Sequence, residues 1–201
     1  MTPQTVVMQA FGPYIQKTQI DFSLLNRCGL FLITGPTGAG KTAVLDAICF
    51  ALYGKSTGAL RSFSQMRNIS APDSLPTLVD YSFTLGKTSY RFCRSQSVYT
   101  ARKTKERKIK EEHTCYKREN GTWTLLQTGS ERSVTQYAQE ILGLDCGQFS
   151  KVMMLPQGEF RKLLLASSQE KAKIFEKLFS TEKWSRVTDA LLANAAELKK
   201  T

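Results

Sequence analysis

The chain has a single histidine and no pair of cysteines spaced C-x-x-C. His113-Thr114-Cys115 offers two metal ligands with no second pair to complete a tetrahedral set, so a zinc site is not expected. The five cysteines (Cys28, Cys49, Cys93, Cys115 and Cys146) are scattered and odd in number, which argues for free thiols in a reducing compartment. No stretch approaches the roughly 20 consecutive apolar residues of a spanning helix, so no membrane partner is expected. Met1-Thr2-Pro3-Gln4-Thr5 lacks a basic region followed by an apolar run, so no signal peptide is expected either. Acidic residues are the scarce charge: 17 stand against 28 Lys and Arg, for a net charge of +11. A surplus of that size points to a polyanionic partner, nucleic acid first, while a generally basic soluble protein remains the plain alternative. At 201 residues and 41% hydrophobic composition the chain is long enough for one large domain with a real core.

What is present centres on Gly35-Pro36-Thr37-Gly38-Ala39-Gly40-Lys41-Thr42, a full match to G-x-x-x-x-G-K-[ST]. Leu30-Phe31-Leu32-Ile33 before it predicts a short buried strand, and Ala43 to Leu52 after it predicts a helix. Strand, glycine loop and helix is the order that phosphate binding requires. Glycines let the backbone crowd an anion, successive N–H groups turn inward, and the helix N-terminus adds partial positive charge. ATP with Mg²⁺ is the implied cofactor set. Gly35 to Thr42 and the Ala43 backbone would cradle the phosphates, Lys41 would reach the terminal ones, and the Thr42 hydroxyl would ligate the metal.

In chain order, residues 5–10 predict a strand, Phe11-Gly12-Pro13-Tyr14 breaks it, and residues 18–22 return. Val44, Leu45, Ile48 and Leu52 share the core face of the helix, which should stop at Gly54. Residues 55–76 read as a long polar surface loop. Residues 77–85 and 88–95 predict one β-hairpin around Gly86-Lys87, and residues 114–118 and 123–126 a second around Asn120-Gly121. Between the hairpins lies the densest positive run, with Arg102, Lys103, Lys105, Arg107 and Lys108. It is exposed, and reads either as a solvated loop or as a contact to the DNA backbone. Residues 133–142 predict a helix, 145–150 a connector, 151–155 a short strand, and Pro156-Gln157-Gly158 a tight loop. A capping box at Ser167 and Glu170 opens a further helix. Trp184, Val187, Leu191, Asn194 and Leu198 then follow at the spacing of a coiled-coil seam.

Three landmarks together resemble the N-terminal ATPase segment of bacterial SbcC-type DNA repair ATPases, in the SMC group of ABC ATPases. They are Phe11-Gly12-Pro13-Tyr14 with Ile20-Asp21-Phe22; the phosphate loop continuing as Leu45-Asp46-Ala47-Ile48-Cys49-Phe50-Ala51-Leu52-Tyr53-Gly54; and Leu142-Gly143-Leu144, Gln148-Phe149 and Met154-Leu155-Pro156-Gln157-Gly158-Glu159-Phe160. The resemblance implies an α/β fold, the N-terminal lobe of an ABC-type P-loop ATPase, with mixed or antiparallel sheets around the phosphate-loop helix. Residues 1–180 would form the lobe and residues 181–201 the start of the ascending coiled coil. Gln157 matches the Q-loop glutamine, placed near Mg²⁺ and the attacking water. Thr37 stands where archaeal and eukaryotic relatives usually carry Asn, so γ-phosphate contacts made there in those relatives are not carried over.

The implied function is ATP-gated DNA processing in an exonuclease complex, in the cytoplasm at the nucleoid. The implied partners are the chain's own C-terminal ATPase lobe, a second ATPase head, a metal-dependent SbcD-like nuclease subunit and double-stranded DNA. The signature motif, the Walker B carboxylates and the switch histidine do not follow Gln157. The active site of this segment is therefore expected to be incomplete, with no hydrolysis by the segment alone. Two other readings stand beside this one. A small P-loop kinase would need a Mg²⁺-binding carboxylate on a strand, for which Asp80, on what reads as an edge-like strand, is the candidate. A non-catalytic DNA-binding module would bind DNA regardless of nucleotide.

Overall fold

The computed structural model describes residues 1–25, 31–57, 61–100, 106–119, 121–153, 167, 188, 191 and 192. The chain divides into two units, Met1–Cys146 and Gly147–Thr201. The first is built on one six-stranded sheet. Its strands are β1 (Thr2–Gln9), β2 (Thr18–Asp21), β3 (Thr77–Leu85), β4 (Thr88–Thr100), β5 (Arg107–Glu119) and β6 (Thr122–Gly129), in the order β2-β1-β3-β4-β5-β6. Every pairing is antiparallel.

Register puts Val6 opposite Tyr81, Tyr81 opposite Phe92, and Phe92 opposite Cys115. These residues, with Met8, Val79 and Phe83, form a buried apolar row on one face of the sheet. Helix α1 (Lys41–Tyr53) packs against β1, β3 and β4, and α2 (Glu131–Leu142) packs against β5, β6 and α1. Phe11 anchors the end of β1 in this core, edge-on to Phe50 of α1 at 5.7 Å and beside Phe63 at 6.2 Å.

Helix α1 is buried on nearly every side, from Ala43 through Tyr53 except at Leu45. Such a helix must satisfy its end groups internally. It does so in full at its C-terminus. The Gly54 N–H, on a residue at φ 69°, donates to Phe50 O at 2.9 Å. Arg94 of β4 donates from Nε to Ala51 O and from Nη2 to Leu52 O, both at 3.0 Å. The Thr135 hydroxyl of α2 donates to Tyr53 O at 3.4 Å. Helix α2 is capped by the Ser130 side chain, which accepts from Ser133 N at 3.2 Å, and it ends on Gly143 at φ 67°.

Several expectations are corrected. Residues 31–33 form no strand, and Leu32 is 84% exposed, because no neighbouring strand among the described residues pairs with this segment. Leu45, expected in the core, is 38% exposed. The strands β4 and β5 form one long arm, with Thr100 paired to Arg107, so residues 107–110 of the basic run are strand and not loop. Its alternating Lys108-Ile109-Lys110 suits an arm exposed on both faces, which a count of apolar residues does not reveal. Residues 146–150, read as a connector, begin helix α3 (Cys146–Val152), and that helix also takes the first two residues of the predicted strand at 151–155. Asp80 lies on β3, an interior strand and not an edge. Within the loop between α1 and β3 there is one short 3-10 turn, Ser64–Met66. Arg67 then organises the rest, donating to Ala71 O, Pro72 O, Leu75 O and the Thr77 hydroxyl.

Candidate nucleotide-binding site

The site is assembled from the end of β1 upward. Ala10, with a positive φ of 46°, turns the chain out of β1. The next four residues close a tight turn in which Phe11 N donates to Tyr14 O at 2.9 Å and Tyr14 N to Phe11 O at 3.0 Å. The turn is tied to the segment after the 3-10 turn by three bonds. Gly12 N donates to Met66 O at 2.7 Å, Asn68 N to Ala10 O at 2.9 Å, and the Asn68 side-chain amide to Gly12 O at 2.6 Å. Its tip, Pro13-Tyr14, presses against Gly40. A methyl group added at Gly40 would come within 2.6 Å of Pro13 Cγ and 3.0 Å of the Tyr14 ring. Gly40 also sits at φ 90°, so both space and backbone conformation demand glycine there.

Gly35 to Lys41 wraps over the N-terminus of α1. The Lys41 ammonium donates to Gly35 O and Pro36 O, both at 2.8 Å, drawing the loop into a ring about its own cation. Ala39 N closes the ring on Pro36 O at 3.2 Å. Gly38 is at φ 83° with open space where a side chain would stand. Pro36, Thr37 and Thr42 are exposed, so the Thr42 hydroxyl can meet a ligand at the surface. Ala43 is buried with its methyl over Gly12, which leaves only its backbone for ligand contact. No side chain covers the helix start: the α1 N-cap has no side-chain bond and the first turn carries no acid. An open helix N-terminus under backbone with positive φ, one cation and one hydroxyl is a donor set suited to a phosphate chain with a divalent metal.

The structure therefore brings Gly35, Pro36, Thr37, Gly38, Ala39, Gly40, Lys41, Thr42 and Ala43 together at one surface. Gln157 lies outside the described residues, as do Arg102, Lys103 and Lys105 and most of the predicted coiled-coil seam. Arg107 and Lys108 fall on β5 opposite Thr100 and Tyr99, and Lys108 is exposed. Lys110 pairs with Glu112 at 2.6 Å, so part of the positive run is neutralised locally. Sequence reasoning missed Tyr14, whose hydroxyl donates to Gly40 O at 3.2 Å, and the buried Arg94. A Pro-Tyr pair next to a strand-breaking glycine hinted at the first. Nothing in the alternation of β4 marked the second. Asp80, the carboxylate of the kinase alternative, is held in a bidentate pair by Arg91 and faces Cys93 across the strands.

Residues 5–200 match the family model described as AAA domain. The chain belongs to that family. It is 41% identical over 208 aligned residues to the SbcC subunit of the SbcCD nuclease from Vibrio cholerae, covering 100% of this chain and 20% of that protein. The protein of the same name from Staphylococcus epidermidis is 32% identical over 199 residues, covering 99% of this chain and 19% of that one. The chain thus spans about a fifth of the length of these curated relatives. A solved chain from work on ATP-driven dimerization and DNA stimulated activation of SMC ATPases superposes with a TM-score of 0.52 at 18% identity. That likeness covers 88% of this chain and 98% of the other, and it shows the fold: an SMC-type ATPase head, α/β, with an antiparallel sheet beside a P-loop helix. The expected family and fold class are borne out together. No helix among the described residues is long and apolar enough to cross a membrane.

Proposed function

We propose that this chain is the N-terminal lobe of an ABC-type ATPase head that uses ATP binding and hydrolysis to gate DNA processing by a partner nuclease. The observation that carries it is the Gly35–Lys41 ring on the open N-terminus of α1, with the Lys41 ammonium bonded to Gly35 O and Pro36 O. A phosphate chain placed there would take the ammonium from those carbonyls and draw on the loop N–H groups. Magnesium, when bound, would neutralise phosphate charge and hold the triphosphate in one geometry. Thr42 would ligate that metal, and Gln157 would orient water or metal through its uncharged amide.

Residues 1–180 would form the lobe and 181–201 the first turns of a coiled coil. The remaining catalytic motifs would come from the C-terminal lobe of the same head and from a second head. The exposed Phe31, Leu32, Ile33 and Leu45, all adjacent in sequence to the phosphate loop, support such a lobe–lobe contact. The names of the relatives support a metal-dependent nuclease subunit as partner, double-stranded DNA as substrate, and a cytoplasmic, nucleoid-associated location. Arg102, Lys103, Lys105, Arg107 and Lys108, at the tip of the β4–β5 arm, would contact the DNA backbone.

ATP turnover tests the proposal, measured for this chain alone and mixed with the complementary lobe. No turnover alone and turnover on mixing, abolished by Lys41→Ala, is the expected result. Steady turnover by the chain alone would mean that it carries a complete catalytic set and would overturn the split-site assignment.

A further inference from the structure

We infer that Tyr14 is a positioning residue for phosphate binding, acting through the peptide unit that joins Gly40 to Lys41. The inference rests on the nucleotide-binding role proposed above. A trans peptide is planar, and its carbonyl and N–H point in opposite directions. The Gly40 carbonyl is directed down α1, where it accepts from Val44 N, so the Lys41 N–H of the same unit is directed out of the helix start, toward the loop. Whatever fixes that carbonyl also aims that donor.

The helical bond alone fixes it loosely, since the Val44 N to Gly40 O distance is 3.3 Å against a usual value near 2.9–3.0 Å. The Tyr14 hydroxyl supplies a second tether to the same oxygen at 3.2 Å. Tyr14 is itself held from several sides. Its backbone N–H and C=O both bond to Phe11, whose buried ring is wedged against Phe50 and Phe63. Ala10 is kept at a positive φ just before it, and Asn68 and Met66 brace the turn from the other side. Strained backbone persists only where its surroundings over-determine it, and here the braced element ends on the one peptide that starts the phosphate-binding helix. Partial burial raises the Tyr14 pKa above its ordinary value, so the hydroxyl remains a donor at neutral pH.

The hydroxyl and the ring have separable duties. The ring fills the space beside Gly40, and the oxygen orients the carbonyl. Tyr14→Phe removes only the second. The test is binding of Mg²⁺-ATP and of inorganic triphosphate to the chain, comparing wild type, Tyr14→Phe and Lys41→Ala, with unfolding midpoints measured in parallel. We expect Tyr14→Phe to weaken both ligands by about three- to tenfold, the factor carried by one ordinary hydrogen bond, with little change in unfolding midpoint. The Lys41 backbone amide, followed by nitrogen-15 NMR without ligand, should become more mobile in Tyr14→Phe. Unchanged affinities together with an unchanged Lys41 amide overturn the positioning role while leaving nucleotide binding intact. Failure of the wild-type chain to bind either ligand, or equal binding by Lys41→Ala, overturns the nucleotide site itself and this inference with it.

Discussion

Replacing Arg94 with leucine should destabilise the fold by about 3 kcal/mol, although Arg94 lies on a strand well away from the phosphate loop. Its side chain is 1% exposed and makes four bonds: to Ala51 O and Leu52 O at 3.0 Å, to the Thr135 hydroxyl at 2.9 Å, and to His113 Nδ1 at 3.1 Å. The first two satisfy carbonyls at the end of a helix whose last turn contains no basic residue. Each buried carbonyl left without a donor costs about 1–3 kcal/mol. Lost attraction between the guanidinium and the negative end of α1 adds a smaller part. Relief from burying the cation offsets some of this, and burial already lowers the Arg94 pKa to about 10. Urea unfolding followed by circular dichroism measures the change. Arg94→Lys should fall between wild type and Arg94→Leu, because one ammonium cannot span carbonyls and hydroxyl in the fork geometry of a guanidinium. A change below about 0.5 kcal/mol for Arg94→Leu would show that the helix end is satisfied in another way and would refute the reasoning.

Three further outcomes are expected. His113 accepts from Arg94 at Nδ1 and faces Glu111 at 3.6 Å from Nε2, and its pKa is lowered first by burial, then by Arg94, against opposing pulls from Glu111 and Glu131. The unfolded chain therefore binds the proton first as pH falls, so stability should be full above about 6.5 and decline below it; His113→Gln should flatten the pH dependence of the urea midpoint in that window. Leu32→Asp should leave the stability of this chain within about 0.5 kcal/mol, since Leu32 is 84% exposed, yet abolish turnover on mixing with the complementary lobe; retained turnover would remove the 31–33 segment from that contact. Replacing Arg102, Lys103, Lys105, Arg107 and Lys108 with glutamine should weaken duplex binding and reduce its salt slope by about one for each phosphate no longer neutralised, and an unchanged slope would take the arm off the DNA.

Much of the phosphate loop was legible because its physics is local. The spacing from Gly35 to Thr42, and the glycine at position 54 that ends the helix, depend on backbone conformations that few other residues adopt. The hairpins were legible through alternation and turn residues, and their registers hold at Gly86 and Gly121. What escaped depends on contacts distant in sequence. Arg94 occupies an inward position on β4 and looks like a polar interruption of an alternating strand; only the packing of α1 across it makes the guanidinium necessary. Tyr14 reads as a turn residue until Gly40 is brought against it. The segment 31–33 failed in the opposite sense. Its apolar run correctly signals a demand for burial, but the demand is not met among the described residues, and hydrophobicity alone does not say which chain supplies the cover.

Helix α1 is thus held at both ends by different parts of the fold. At its N-terminus the turn from β1 reaches Gly40 through Tyr14, and at its C-terminus β4 and α2 close the carbonyls through Arg94 and Thr135. Ten residues between those ends are buried, so the helix has little freedom to slide or rotate on the sheet. A change at the phosphate loop is then left with two outlets. One is the loop itself, whose Lys41 ammonium can exchange backbone carbonyls for phosphate oxygens without moving α1. The other is the exposed apolar surface of Phe31, Leu32, Ile33 and Leu45, which flanks the loop in sequence on both sides. A partner covering that surface would sit beside the phosphates and gain from burial about 1.5–3 kcal/mol for each large side chain fully enclosed. Nucleotide binding and partner docking would then share one rigid element, and neither would require the sheet to deform.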